Sequence, residues 1–138
     1  MLKATMRSNE IVIHTDGACK GNPGRGGWAA VIQQNGTQRI ISGNDPQTTN
    51  NRMEMTGVIR GLEAIDPSAK VLISSDSTYV INTMTKGWKR KANHDLWEQL
   101  DRLVKGRDIS WRWVRGHSGD PGNELADSAA TKEAGTAR

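Results

Sequence analysis

The chain has 138 residues, 35% of them hydrophobic and 25% charged, with 19 lysines and arginines against 15 acids and a net charge of +4. These proportions fit one soluble domain spanning residues 1–138, and the positive balance permits a polyanionic partner. A single cysteine excludes an internal disulfide, no run approaches the about 20 apolar residues of a membrane span, and the polar first ten residues do not resemble a signal peptide, so a cytoplasmic location is expected.

Ile11, Val12, Ile13 and Thr15 form a β-branched run that predicts a buried strand ending at Asp16-Gly17. Gly21, Asn22, Pro23 and Gly24 then make a turn with little side-chain bulk, and a second strand covers Trp28 to Gln34. Asn35-Gly36 is a strong hairpin signal, so Thr37 to Ser42 returns as a third antiparallel strand, followed by a polar loop over 43–49. Met55, Val58, Ile59, Leu62 and Ile65 recur at helical spacing and predict a helix from about Asn51 to Ile65, ended by Asp66-Pro67.

Val71, Leu72 and Ile73 read as a short strand of the buried parallel kind, closing at Ser74-Ser75-Asp76. A short helix follows over Ser77 to Thr85, and then a basic loop in which Lys86, Lys89, Arg90 and Lys91 crowd around Trp88. Such interleaving of cations and an aromatic suits a surface that follows a nucleic-acid backbone, although a solvated loop explains it equally well. Asp95 and Glu98 resemble a helix-opening capping pair ahead of Leu96, Leu100, Leu103 and Val104. Ile109 to Val114 is a fifth strand, and a last helix starts near Gly122 on Leu125, Ala126, Ala129 and Ala130. Residues 1–8 and 133–138 are expected to be flexible. The order β-β-β-α-β-α-α-β-α implies an α/β fold, a mixed sheet covered by helices on both faces.

Four acids carry the chemistry, and each has an ordinary explanation. Asp16 can belong to an Asp-Gly turn, Glu54 to a capping box completed by Asn51, Asp76 to a helix cap, and Asp127 to an exposed helix face. Yet Glu54 lies in line with Val58, Leu62 and Ile65 and so points toward the sheet, where an unpaired carboxylate is costly. Asp76 ends a parallel strand, the usual edge for a ligand in an open α/β sheet. Carboxylates gathered there repel one another unless cations sit among them, and oxygen-only ligation selects a hard ion such as Mg²⁺ or Mn²⁺. Four acids suffice for two ions about 4 Å apart, the arrangement of in-line phosphoryl displacement.

The segments Thr15-Asp16-Gly17-Ala18-Cys19, Gly21-Asn22-Pro23-Gly24, Thr48-Thr49-Asn50-Asn51-Arg52-Met53-Glu54, Ser75-Asp76-Ser77, Gly116-His117 and Asn123-Glu124-Leu125-Ala126-Asp127 together resemble bacterial ribonuclease HI, in order over about residues 9 to 130. The resemblance implies a ribonuclease H-like fold with a five-stranded mixed sheet in the order 3-2-1-4-5. It also implies hydrolysis of the RNA strand of RNA/DNA hybrids with two metal ions, leaving a 5′ phosphate, by a protein with no obligate partner and a monomeric state. On the matching positions, Asp16, Glu54, Asp76 and Asp127 are the expected catalytic and metal-ligating acids, and His117 is the expected proton-handling group in the loop before the last helix. Gly17, Cys19, Asn50 and Asn51 are expected at the RNA 2′-hydroxyls, the group that distinguishes RNA from DNA, and Asn22 and Thr49 at a phosphate of the DNA strand. Asn123, Trp88, Lys89, Arg90 and Lys91 complete the expected substrate contacts, while at least one of Trp111 and Trp113 packs in the core.

The chain departs from that pattern between Ile81 and His94, where a long basic protrusion is reduced to Gly87-Trp88-Lys89-Arg90-Lys91. Weaker and more salt-sensitive hybrid binding is expected. Thr78 replaces a frequent glutamine, and His14, beside Asp16, reads as structural. Two other functions share many of these features: an integrase-like DNA strand transferase, disfavoured by the short chain, and a non-catalytic hybrid-binding module, disfavoured by four acids facing phosphates.

Overall fold

The structure, a computed structural model, describes residues 10–137, so the expected flexible segment at 1–8 and residue Arg138 lie outside the described residues. Five strands form one sheet in the order β3-β2-β1-β4-β5, as the resemblance implied. They are β1 (Glu10–Lys20), β2 (Gly24–Gln34), β3 (Thr37–Thr48), β4 (Lys70–Ser75) and β5 (Ile109–Trp113). The helices are α1 (Asn50–Glu63), α2 (Thr78–Lys86), α3 (His94–Val104) and α4 (Pro121–Thr136).

Side chains alternate across β1, and the two faces have different covers. Ile11 and Ile13 join Val58, Ile59, Leu62, Val71, Ile73, Leu96 and Leu100 in the main core beneath α1 and α3. On the other face α4 lies across β1 and β2, and here the fit depends on small residues: Ala126, Ala130 and Ala134 are buried, and a Cβ on Gly27 would strike the backbone of α4. Leu125, expected to pack, is instead 38% exposed, because it lies off the stripe of Ala126, Ala130 and Ala134 that faces the sheet.

Several boundaries move. β1 does not stop at Asp16-Gly17 but continues to Lys20, because β2 keeps supplying partners from Asp16↔Ala29 to Lys20↔Arg25. β3 likewise runs through the expected polar loop to Thr48, with Gly43 seated under the indole of Trp28. Helix α1 is capped by Thr49, whose hydroxyl accepts from the Arg52 amide, and not by Asn51. Helix α3 begins after Asn93 with no side-chain cap bond, so the Asp95–Glu98 capping pair does not form; Asp95 turns to Arg52 instead. The last helix extends past Glu133, where fraying was expected: Glu133 accepts from Ser42 (2.7 Å) and Asn44 (2.8 Å), and Ala134 and Ala137 are buried. Among the described residues no helix is long and apolar enough to cross a membrane.

Candidate active site

The site arises where two parallel strands part. β1 and β4 pair from Glu10↔Lys70 to Thr15↔Ser75, so the next positions in register are Asp16 and Asp76. Beyond Ser75 the β4 chain turns away into α2, its amide Ser77 accepted by Ser75 and its hydroxyl capping Val80. β1 runs on beside β2 alone, which leaves a gap with an acid on each side.

Glu54 enters that gap from α1, as its alignment with Val58 and Leu62 predicted. The close approach depends on Gly17, where a Cβ would fall on the Glu54 amide and the Met53 carbonyl carbon. Gly17 thus lets the first turn of α1 lie against β1. Its own amide donates to Asp16 Oδ1 at 2.9 Å. Ligand oxygens of Asp16, Glu54 and Asp76 all lie within 4.8 Å of one another, and among the described residues these three are the group able to surround a metal ion. Asp127, on α4, is close enough to Asp16 to help push its carboxyl up, but it is not one of the three.

Electrostatics explain why such a cluster needs company. Asp16 is 3% exposed, and its carboxyl is pushed up to about 8, first by burial and then by the Asp76 charge, with the Gly17 amide opposing. Glu54 is also driven well above the ordinary carboxylate range, by burial first and then by Asp16 and Asp76. Its Oε1 is buried without a hydrogen-bond partner. Buried, unpartnered and surrounded by like charge, this oxygen meets the condition for ligating a hard divalent cation, and the donor set is oxygen only. The residues present fit such an ion.

Asp76 is held by two hydrogen bonds, with a glycine making room for its carboxylate. Asn123 Nδ2 donates to its Oδ2 at 3.3 Å, Trp113 Nε1 donates to its carbonyl at 3.1 Å, and a Cβ on Gly116 would come within 2.8 Å of Oδ2. Asn123 is itself buried and its amide is capped by Asp120, so its side chain faces the acid cluster rather than outward. The sequence signal for this was the i, i+4 spacing of Asn123 and Asp127 on one helix face. Trp111 packs against the core, while Trp113 is half exposed beside Asp76.

His14 bears out the structural reading: it is buried, its Nε2 sits 3.2 Å from Gln33 Oε1, and burial holds its pKa down, so the ring stays neutral under the start of α4. His117 occupies the loop before α4, exposed, with a left-handed φ of 57°. It is not drawn into the carboxylate group.

The expected substrate contacts fall into two patches. Around the β1–β2 turn, Asn22 Oδ1 accepts from the Asn50 amide at 3.0 Å and Cys19 Sγ donates to Gly21 O at 2.8 Å. The Asn22–Asn50 bond docks the turn against the start of α1, and Cys19 Sγ also reaches the Thr48 carbonyl at 3.5 Å, so Cys19, Asn22, Thr49, Asn50 and Asn51 come together at the end of the helix that carries Glu54. In the second patch, Trp88, Lys89 and Lys91 are exposed, whereas Arg90 turns back onto the body of the protein.

A model of the RNase H family matches residues 8–135. A ribonuclease H of Polaromonas naphthalenivorans is 50% identical over 137 residues, covering 88% of this chain and 85% of that protein. The crystal structure of LC9-RNase H1, a type 1 RNase H, superposes with a TM-score of 0.80 at 32% identity, covering 94% of this chain and 74% of that one. LC11-RNase H1, solved in complex with an RNA/DNA hybrid, superposes with a TM-score of 0.73 at 25% identity, covering 88% and 97% of the two chains.

Proposed function

The chain belongs to the ribonuclease H family, and we propose that it hydrolyses the RNA strand of RNA/DNA hybrids by two-metal-ion chemistry, leaving 5′-phosphate products. The observation that carries this reading is the group of three carboxylates within 4.8 Å, one with a buried and unpartnered oxygen, at the mouth of two parting parallel strands.

In this reading Asp16, Glu54 and Asp76 hold Mg²⁺ or Mn²⁺, and Asp127 completes the set from α4. Cations held by these carboxylates would lower the pKa of an attacking water and would offset the charge developing on the phosphate and the leaving 3′ oxygen. Asp16 spans the cluster, with one oxygen fixed by the Gly17 amide and the carboxylate facing both Glu54 and Asp76. Asn123 holds the Asp76 carboxylate in one orientation, so the cluster is preorganised before substrate arrives. His117, exposed on the loop before α4, takes the proton-handling role. The patch of Gly17, Cys19, Asn22, Thr49, Asn50 and Asn51 meets the minor-groove side of the hybrid, where 2′-hydroxyls distinguish the RNA strand. Trp88, Lys89 and Lys91 meet the backbone farther along. The protein acts as a monomer in the cytoplasm, where the Cys19 thiol stays reduced.

The test is cleavage of end-labelled RNA/DNA hybrid, duplex DNA and duplex RNA in Mg²⁺ or Mn²⁺ by wild type and Asp16→Asn. Cleavage confined to the RNA of the hybrid, with 5′-phosphate ends and lost in the variant, is expected. Tight hybrid binding without cleavage would make the chain a binding module, and joining of DNA strands would make it a strand transferase.

A further inference from the structure

The basic loop between α2 and α3 is short, yet it is strapped down at two points. At its downstream end Asn93 takes a left-handed φ of 61°, and Arg52 from α1 reaches across to it. The Arg52 guanidinium forks onto Asp95 (3.0 and 2.8 Å), and its Nη1 also donates to Asn93 Oδ1 at 3.3 Å. Asn93 Nδ2 and Trp97 Nε1 both donate to the Tyr79 hydroxyl, at 3.0 and 3.3 Å.

The second strap is Arg90 itself. Both of its terminal nitrogens bond the Asp101 carboxylate on α3, Nη2 to Oδ1 at 3.0 Å, and its guanidinium lies 5.0 Å from the centre of the Trp97 ring. Trp97 and Asp101 are one turn apart on α3, so a single planar group meets a ring and a carboxylate on the same helix face. A forked pair with stacking beneath it has a geometry that a flexible ammonium does not reproduce. The neighbours Trp88, Lys89 and Lys91 point outward and are exposed.

We propose that Arg90 is the positioning residue of this loop: spent on Asp101 and Trp97, it meets no phosphate and fixes the loop so that Trp88, Lys89 and Lys91 do. The inference rests on the hybrid-cleaving function given above. It divides one run of charges, alike in sequence, into cations that meet the substrate and one that does not.

Asp101→Asn separates the two roles by sign. Were Arg90 a masked phosphate contact, removing its carboxylate partner would free it, tighten hybrid binding and steepen the salt dependence. As a strut it loses its anchor instead. Arg90→Gln and Asp101→Asn are therefore each expected to raise KM for the hybrid about fivefold with kcat little changed, and the double variant to be no worse than either single one. Arg90→Lys, which keeps the charge but not the fork, should not restore KM. Lys89→Ala, as the phosphate contact, should lower the slope of log affinity against log salt by about 0.9, and Arg90→Gln by much less. Limited trypsin digestion without nucleic acid supplies an independent reading: cutting after Lys89 and Lys91 should speed up severalfold in both Arg90→Gln and Asp101→Asn. Tighter binding by Asp101→Asn, full rescue by Arg90→Lys, or unchanged trypsin cutting overturns the proposal. A wild type that leaves hybrid uncut sinks the functional reading instead, and the trypsin result still decides whether Arg90 is the strut.

Discussion

Replacing Asp16 by Asn should make the metal-free protein more stable. The carboxyl at Asp16 moves from 3.8 in a free side chain to about 8 in the fold, so it binds its proton more tightly folded than unfolded. Wild type consequently loses stability as pH climbs from about 4 toward 8, at up to about 1.4 kcal/mol per pH unit. Summed over that window the ceiling is about 6 kcal/mol. Water entry and relaxation of the neighbouring carboxylates reduce the realised figure to about 2–3 kcal/mol. Asn keeps an oxygen for the Gly17 amide and removes the charge, so the variant escapes this cost. For a domain of this size the gain corresponds to a rise in Tm of about 6–10 °C at pH 8 in chelator. The measurement is thermal unfolding by circular dichroism of both proteins at several pH values. The gap should close below about pH 3, where the wild-type acid is protonated in both states. An Asn variant that melts no higher at pH 8, or a gap independent of pH, refutes the reasoning.

Other outcomes follow from the same geometry. Mg²⁺ should raise the Tm of wild type and much less that of Asp16→Asn, because only the former offers the full oxygen set; free ion at a hundred times its Kd stabilises by about 2.7 kcal/mol. Asn123→Ala should lower kcat about tenfold while hybrid affinity stays near wild type, as Asp76 loses the donor that orients it, read from steady-state kinetics and filter binding. Gly17→Ala should unseat the first turn of α1, costing about 3 kcal/mol in denaturant unfolding and nearly all cleavage.

Much of this molecule was readable from residue patterns, for identifiable reasons. Glu54 showed its inward direction because helical period places it with Val58 and Leu62, and Asp76 showed its edge position because Val71 to Ile73 is too apolar to be anything but buried. What escaped was what long-range contact decides. Asp16-Gly17 looks like a turn locally; only the presence of β2 alongside keeps the strand going to Lys20. Asp95 looks like a helix opener, yet Arg52, distant in sequence, claims it. Glu133 looks like the start of a loose tail until Ser42 and Asn44 are seen across from it. Arg90 stands among lysines, and nothing in the run itself tells that Asp101 has taken it.

The parting of β1 and β4 has a consequence for how the chain matures. Asp16 and Asp76 sit sixty positions apart and meet only because Thr15 and Ser75 are paired next to them. Such a distant pairing forms late, after the hairpins and helices that need only local partners. A chain still on a ribosome, or one whose sheet is half assembled, therefore holds its acids scattered and captures no ions. On the proposed function, competence to cut thus arrives together with the finished sheet.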